Sequence, residues 1–290
     1  MSADPILVGF DGSRDSYAAL RWAQDEATRH RVAVRLVYVY EWSTSVIPVP
    51  VGSGWPDPAV RHEAVASVEE AVRQARAHRP EVRLDGVVVD GTVVSALCKL
   101  SEQARLLVLG SRGLGGFSGL LAGSVAVGVA TYAHCPVVVT RGCARSQRPV
   151  AVGVDTSPDC DQALAFGYEQ AASRGVDLLA VRAWQPPPVP YRADSRPASY
   201  DAAALEASER HLVDQLMQGW HHKYPEVPTA VRLMPDTAAH ALITASAEAQ
   251  LMVVGCRGRG GFRGQLLGAV ARQLIHHAHC PVVIMRHPQD

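Results

Sequence analysis

The chain has 290 residues, 48% apolar and 19% charged, which is the composition of a globular protein and excludes a disordered one. Its 28 Lys and Arg balance its 28 Asp and Glu, so a general affinity for nucleic acid or acidic membranes is excluded and only local basic patches remain. No apolar run reaches the length of a membrane span and Met1-Ser-Ala-Asp-Pro5 lacks the regions of a signal peptide, so a cytoplasmic location is expected.

In chain order, Ile6–Phe10 reads as a short buried strand, and the periodic Leu20, Ala23 and Ala27 predict a helix over Ser16–His30. The β-branched run Val32–Tyr40 is a second strand, and a Pro- and Gly-rich loop, Trp42–Pro58, follows it. Next come helix His62–His78, strand Val82–Val89 and helix Val93–Gln103, with Thr92 placed to cap it. Strand Leu106–Leu109 leads into a glycine loop, a helix from about Ser124 and strand Val137–Thr140. The polar stretch Arg141–Pro149 is the natural linker. The second half repeats the order, with its own Pro-rich loop at Gln185–Pro197 and a long helix near Ala202–Tyr224.

The repetition is close. Ile6-Leu-Val-Gly-Phe-Asp11 matches Val150-Ala-Val-Gly-Val-Asp155, and the spacing from Asp to the first loop glycine differs by one residue between copies. Two domains are expected, 1–143 and 149–290. Strands alternating with helices predict the α/β class, with an open, mainly parallel five-stranded sheet in each domain and helices on both faces. The continuously apolar runs Leu106–Leu109 and Val282–Met285 fit strands buried on both sides.

Each copy carries one glycine pattern. Gly110-Ser-Arg-Gly113 is followed after nine residues by Gly123-Ser124, and Gly255-Cys-Arg-Gly258 by Gly268-Ala269. Such a loop, between a buried strand and a helix start, lets backbone N–H groups and the helix dipole meet an anion. Ligands of such sheets bind beyond the carboxyl ends of the strands, where Asp11, Gly110 and their partners fall. The chain reads as a duplicated phosphate-binding unit whose second copy has lost a hydroxyl.

Together with the Val-Gly-x-Asp-x-Ser starts and the His-Cys-Pro-Val-Val ends, these residues make the chain resemble a tandem universal stress protein of the actinobacterial type, over nearly its whole length. The resemblance implies Rossmann-like domains, ATP held at the strand ends with Mg2+ or Mn2+, dimeric assembly and a role in stress survival that is regulatory more often than catalytic. It also implies pairing through the last strands, Val137–Thr140 and Val282–Met285. The first half matches the family's G-x2-G-x9-G-[S/T] pattern in full.

Taken residue by residue, Asp11 suits a turn or helix cap by its local sequence. By the resemblance it meets the nucleotide, and Asp155 matches it. Gly110, Gly113 and Gly123 give close approach to ribose and phosphate, with a flexible loop needing positive φ as the plainer alternative. Ser124 would donate its hydroxyl and N–H to phosphate, with Val125 beside it. Gly255, Gly258, Gly268, Ala269 and Val270 stand at the matching places, where Ala269 costs a charge-assisted bond of about 1.5–3 kcal/mol. Arg112 and Arg257 suit phosphate contact and a solvated loop equally, and Arg259 or Arg263 offers compensation for Ala269. Val39 and Ala183 are, by the resemblance, where backbone meets the adenine edge.

No side-chain cluster nominates a metal, though Asp11 suits one carried by the nucleotide. His276 and Cys280 would share a helical face, yet the first copy has no such pair. The six cysteines, at 98, 135, 143, 160, 256 and 280, lack metal-ligand spacing and read as buried, reduced thiols. An ATP-binding regulator with an unidentified protein partner is the first reading. A slow ATP hydrolase and an interaction protein with degenerate sites are the alternatives.

Overall fold

The computed structural model describes residues 4–41, 58–114, 123–142, 146–185, 201–258 and 267–286. Apart from Pro58 and Gln185, the loops Trp42–Pro58 and Gln185–Pro197 lie outside these residues, as do Gly115, Gly116, Cys143, Arg259 and Arg263. Two compact units are formed, Met1–Gly142 with Pro281–Asp290, and Cys143–Cys280.

The chain runs β1 (Ile6–Phe10), α1 (Arg14–His30), β2 (Val34–Tyr40), α2 (Pro58–His78), β3 (Leu84–Asp90), α3 (Val93–Leu100), β4 (Leu106–Gly110), α4 (Ser124–Tyr132) and β5 (Val137–Thr140). It continues through β6 (Val150–Gly153), α5 (Asp159–Arg174), β7 (Leu178–Trp184), α6 (Ala202–Lys223), β8 (Thr229–Pro235), α7 (Ala238–Ser246), β9 (Leu251–Gly255), α8 (Ala269–His277) and β10 (Val282–Met285). In the first unit the strand order is β3-β2-β1-β4-β5-β10, parallel except that β10 runs antiparallel to β5, Val283 opposite Val138. The second unit orders its strands β9-β6-β7-β8, all parallel.

The central strands are apolar because both their faces are covered. Leu107, Val108, Val137, Val138, Leu251 and Met252 are all fully buried. In the first unit α1 packs on β1 and β4, α2 on β3, and α3 on β2 and α4. Leu20, Ala23 and Ala27 form the buried stripe of α1 that their spacing predicts.

Several boundaries differ from the sequence expectation for local reasons. Helix α1 starts at Arg14 because Ser13 caps it, its hydroxyl accepting from the Ser16 amide at 3.2 Å. Thr92 takes the N-cap position of α3 without making a side-chain cap bond, and α3 tightens at Ser101–Gln103 into a 3-10 turn. Helix α8 ends at His277, so Cys280 does not share a helical face with His276. Among the described residues no group of three or more His, Cys, Asp or Glu could hold a metal. No helix among them is long and apolar enough to cross a membrane.

The five described cysteines form no disulfide and are buried. Burial pushes the Cys135 thiol up to about 12 and the Cys160 thiol to about 11, which keeps both protonated and inert at neutral pH.

Helices α1 and α5 end alike, in a left-handed residue whose N–H returns to the last turn. Gly175 fills that place at φ 64, but in the first unit it is Arg31 at φ 53. Arg31→Gly removes the clash between Cβ and backbone and is expected to stabilise the protein by about 1 kcal/mol, read as a raised midpoint of thermal unfolding. An unchanged or lowered midpoint would show that this end is not strained.

Candidate functional site

A cavity of about 350 Å³ opens at the carboxyl ends of β1, β2 and β4. Asp11 enters it from the turn after β1 and Val39 from β2. Gly110, Arg112 and Gly113 line it from the loop after β4, and Gly123, Ser124 and Val125 from the start of α4. All eight positions expected in the first half thus meet at one place. In the second unit a cavity of about 360 Å³ gathers Asp155, Ala183, Gly255, Arg257, Gly258, Gly268, Ala269 and Val270.

The glycine loop is held by a carboxylate. Asp15, in the first turn of α1, accepts from the Ser111 hydroxyl at 2.8 Å and from the Arg112 amide at 3.1 Å. A Cβ on Gly110 would stand 2.7 Å from the Asp15 backbone, so only glycine lets the end of β4 come this close to α1. Asp159 does the same in the second unit, accepting from the Cys256 thiol and the Arg257 amide, each at 3.1 Å. A Cβ on Gly255 would lie 2.7 Å from the Asp159 Cβ.

Gly113 passes directly over Asp11, where a Cβ would come within 2.5 Å of Oδ2. That oxygen accepts the Leu114 amide at 2.9 Å while Oδ1 accepts the Ser13 amide at 3.0 Å. Asp11 is therefore the turn residue its local sequence suggested, and it also forms a wall of the cavity. Burial acts to raise its carboxyl, but hydrogen bonds from Ser13, Leu114 and Ser16 outweigh it and hold the group below its ordinary value of 3.8. None of the motif glycines has positive φ, so the flexible-loop explanation fails.

Gly123 differs from the others. It caps α4 in extended conformation, φ −73 and ψ 146, with no side-chain bond. Among the described residues a Cβ there would meet nothing nearer than the Ser111 carbonyl oxygen, at 3.8 Å. Behind it the amides of Ser124, Val125 and Ala126 find no acceptor among the described residues, which leaves the positive end of α4 facing the cavity.

Arg112 is 65% exposed with its Nε 3.6 Å from Asp15, and Arg257 is 50% exposed with its Nε 3.8 Å from Asp159. Both lean on the loop clamp with the rest of the side chain in solvent.

The sequence reading passed over several lining residues. Ser16, Ser111 and Tyr38 line the first cavity; Cys160, Cys256 and Arg182 stand at the matching places in the second. Asp15 and Asp159 were also missed, although their identical offset from Asp11 and Asp155 was there to be read.

Two units, each with a mainly parallel sheet and a cavity at its strand ends, define a duplicated Rossmann-like α/β protein. The chain belongs to the universal stress protein family, whose sequence profile matches residues 3–141 and again 147–286. Two universal stress proteins of Mycobacterium tuberculosis are similar along its length. One is 33% identical over 309 residues, covering 98% of this chain and 96% of that protein. The other is 34% identical over 293 residues, covering 97% and 96%. The crystal structure of a universal stress protein from Archaeoglobus fulgidus has the same fold, with a TM-score of 0.72, 18% identity and 99% of each chain covered.

Two expectations follow for Asp11 and Gly110. The ionised Asp11 stabilises the fold above its ordinary value, and this contribution is lost as pH falls through its lower folded value. The stability gap between the wild type and Asp11→Asn should therefore be widest near neutral pH and close below about pH 4, by urea denaturation at each pH; a constant gap would refute the linkage. Gly110→Ala should cost about 1–3 kcal/mol in the same assay, because the Asp15 backbone cannot retreat. An unaffected Gly110→Ala would show that the loop has slack.

Proposed function

We propose that the first cavity binds an adenine nucleotide, ATP carried with Mg2+ or Mn2+, and that occupancy regulates assembly or the binding of a protein partner. The observation that carries this reading is the uncapped start of α4, whose amides open onto a cavity that Asp11 bounds on its other side. Amides without acceptors suit phosphate oxygens, and the Ser124 hydroxyl adds a further donor. The Asp11 carboxylate keeps a lone pair on each oxygen for ribose hydroxyls or for the ion. With no cluster of protein ligands among the described residues, the ion would take most of its coordination from phosphate and water, as Mg2+ habitually does. Adenine rests on the family membership.

Binding is favoured over turnover by the lining. Asp11 and Arg112 are its charged residues, and no histidine or glutamate is among the described ones. Asp11 is tied to two backbone amides and held ionised, so no group is placed to activate water efficiently. Any hydrolysis by this arrangement should be slow.

Protein purified without added nucleotide should release about one ATP per chain on denaturation. Gly113→Val, whose side chain would displace the Asp11 carboxylate, should lose it. Gly123→Ser is the sharper test. The fold has room for its Cβ and serine is a favoured cap, so stability should hold within about 0.5 kcal/mol. Its hydroxyl would accept an α4 amide meant for phosphate, and nucleotide should be lost. Retention of full nucleotide by both variants would refute the site. Ala269→Ser should tighten the second cavity roughly 10- to 100-fold by calorimetry, the value of one charge-assisted bond.

A further inference from the structure

The two cavities are nearly equal in volume, so their differences are chemical. The largest is at the position on the second strand of each unit where Tyr38 lines the first cavity and Arg182 the second. Arg182 is 1% exposed, the largest fully buried side chain described. Its Nε and Nη2 both reach Glu209 Oε2 at 2.7 Å, and Nη1 reaches the Val154 carbonyl only at 3.5 Å. A guanidinium has five N–H donors. Among the described residues these three contacts are all it has, so donors remain without an acceptor in a place closed to bulk water. Leaving such donors unmet is costly, and the Glu209 pair alone would be made as well by a lysine. The fork calls for a further acceptor from the cavity.

Its place says which part of a ligand supplies it. Strand β6 lies between β9 and β7, so Arg182 on β7 stands across the cavity from the glycine loop, roughly 10 Å away at the usual strand spacing. Phosphate held at Gly258 and the start of α8 puts the base of a nucleotide towards β7. The 6-oxo group and N7 of guanine accept together from an arginine fork, whereas adenine presents an amino donor in place of that oxygen. We propose that the second cavity selects a guanine nucleotide over an adenine nucleotide, with Arg182 reading the base. This rests on the reading of these cavities as nucleotide sites. The first cavity, with uncharged Tyr38 at that position, has no such preference for the 6-oxo group.

The test uses the full-length chain carrying Gly113→Val, which silences the first cavity, titrated calorimetrically with Mg-GTP, Mg-ATP and inorganic pyrophosphate. GTP should bind at least tenfold more tightly than ATP. Arg182→Tyr should abolish the preference. Arg182→Lys, which keeps the charge opposite Glu209 but not the fork, should abolish it too, and its thermal midpoint should stay near the parent's. Equal or tighter ATP binding would overturn the proposal, as would a GTP preference that survives in a folded Arg182→Lys. Pyrophosphate binding as tight as GTP and dependent on Arg182 would also overturn it, by showing that Arg182 holds phosphate. Binding of ATP to the first cavity in the chain without Gly113→Val is measured alongside. If that holds while the second cavity takes neither nucleotide, the guanine assignment falls and the first-cavity reading stands.

Discussion

The close approach of the first helix to the end of the fourth strand governs everything at the site. Gly110 lies against the backbone of Asp15, and from that distance the Asp15 carboxylate can take both the Ser111 hydroxyl and the Arg112 amide. A larger residue at 110 would push α1 off β4 and open the clamp. The clamp in turn sets where Gly113 crosses Asp11, and Asp11 then fixes the Leu114 amide. A chain of short contacts thus runs from a buried strand to the cavity mouth. It recurs at Gly255, Asp159 and Arg257, where a thiol has replaced the hydroxyl without breaking it.

Two opposed electrostatic elements result. On one side is the start of α4, with amides that nothing described satisfies. On the other is Asp11, ionised because hydrogen bonds to its charged form outweigh burial. A serine or aspartate cap would add a side-chain bond worth only about a few tenths of a kcal/mol over glycine. Gly123 forgoes it although the fold has room for a side chain. Crowding within the chain explains Gly110 and Gly113, whereas at Gly123 it does not, and the proposed phosphate contact would. One motif therefore mixes glycines fixed by packing with one that packing does not fix, and only the structure separates them.

Much of this was legible in the sequence. Continuous apolar runs and helical stripes gave β1, β5 and the body of α1, because burial on both faces of a strand and one face of a helix leaves simple patterns, whereas the cavity positions came from the spaced glycines and the family resemblance. The beginning of α1 was missed by two residues because Ser13 was not read as its cap. The Asp15 clamp was missed because a first-turn acid is ordinary in any helix; only its distance to Gly110 distinguishes it. For the motif glycines positive φ was the plainer alternative, but their conformations are ordinary, and at Gly110 and Gly113 the constraint is crowding from residues far along the chain. Long-range contacts of this kind have no local signature.

The second unit shows which parts of such a site can change independently. The clamp, the two glycines that pack and the Asp155 turn persist, since altering any one would displace the others. Three hydroxyl positions have changed freely, Ser16 to Cys160, Ser111 to Cys256 and Ser124 to Ala269, because none carries the backbone. Two of those exchanges substitute a poor hydrogen-bond donor whose burial keeps it protonated or in contact with Asp159. The wall has thereby lost weak polar groups and acquired one strong one, the buried guanidinium of Arg182. A decayed site would be expected to lose polar groups without gaining a buried charge, since burying arginine is expensive unless it is paired. Glu209 neutralises that charge and leaves the fork incompletely bonded. The second cavity is better understood as rebuilt around a different contact than as a faded copy of the first.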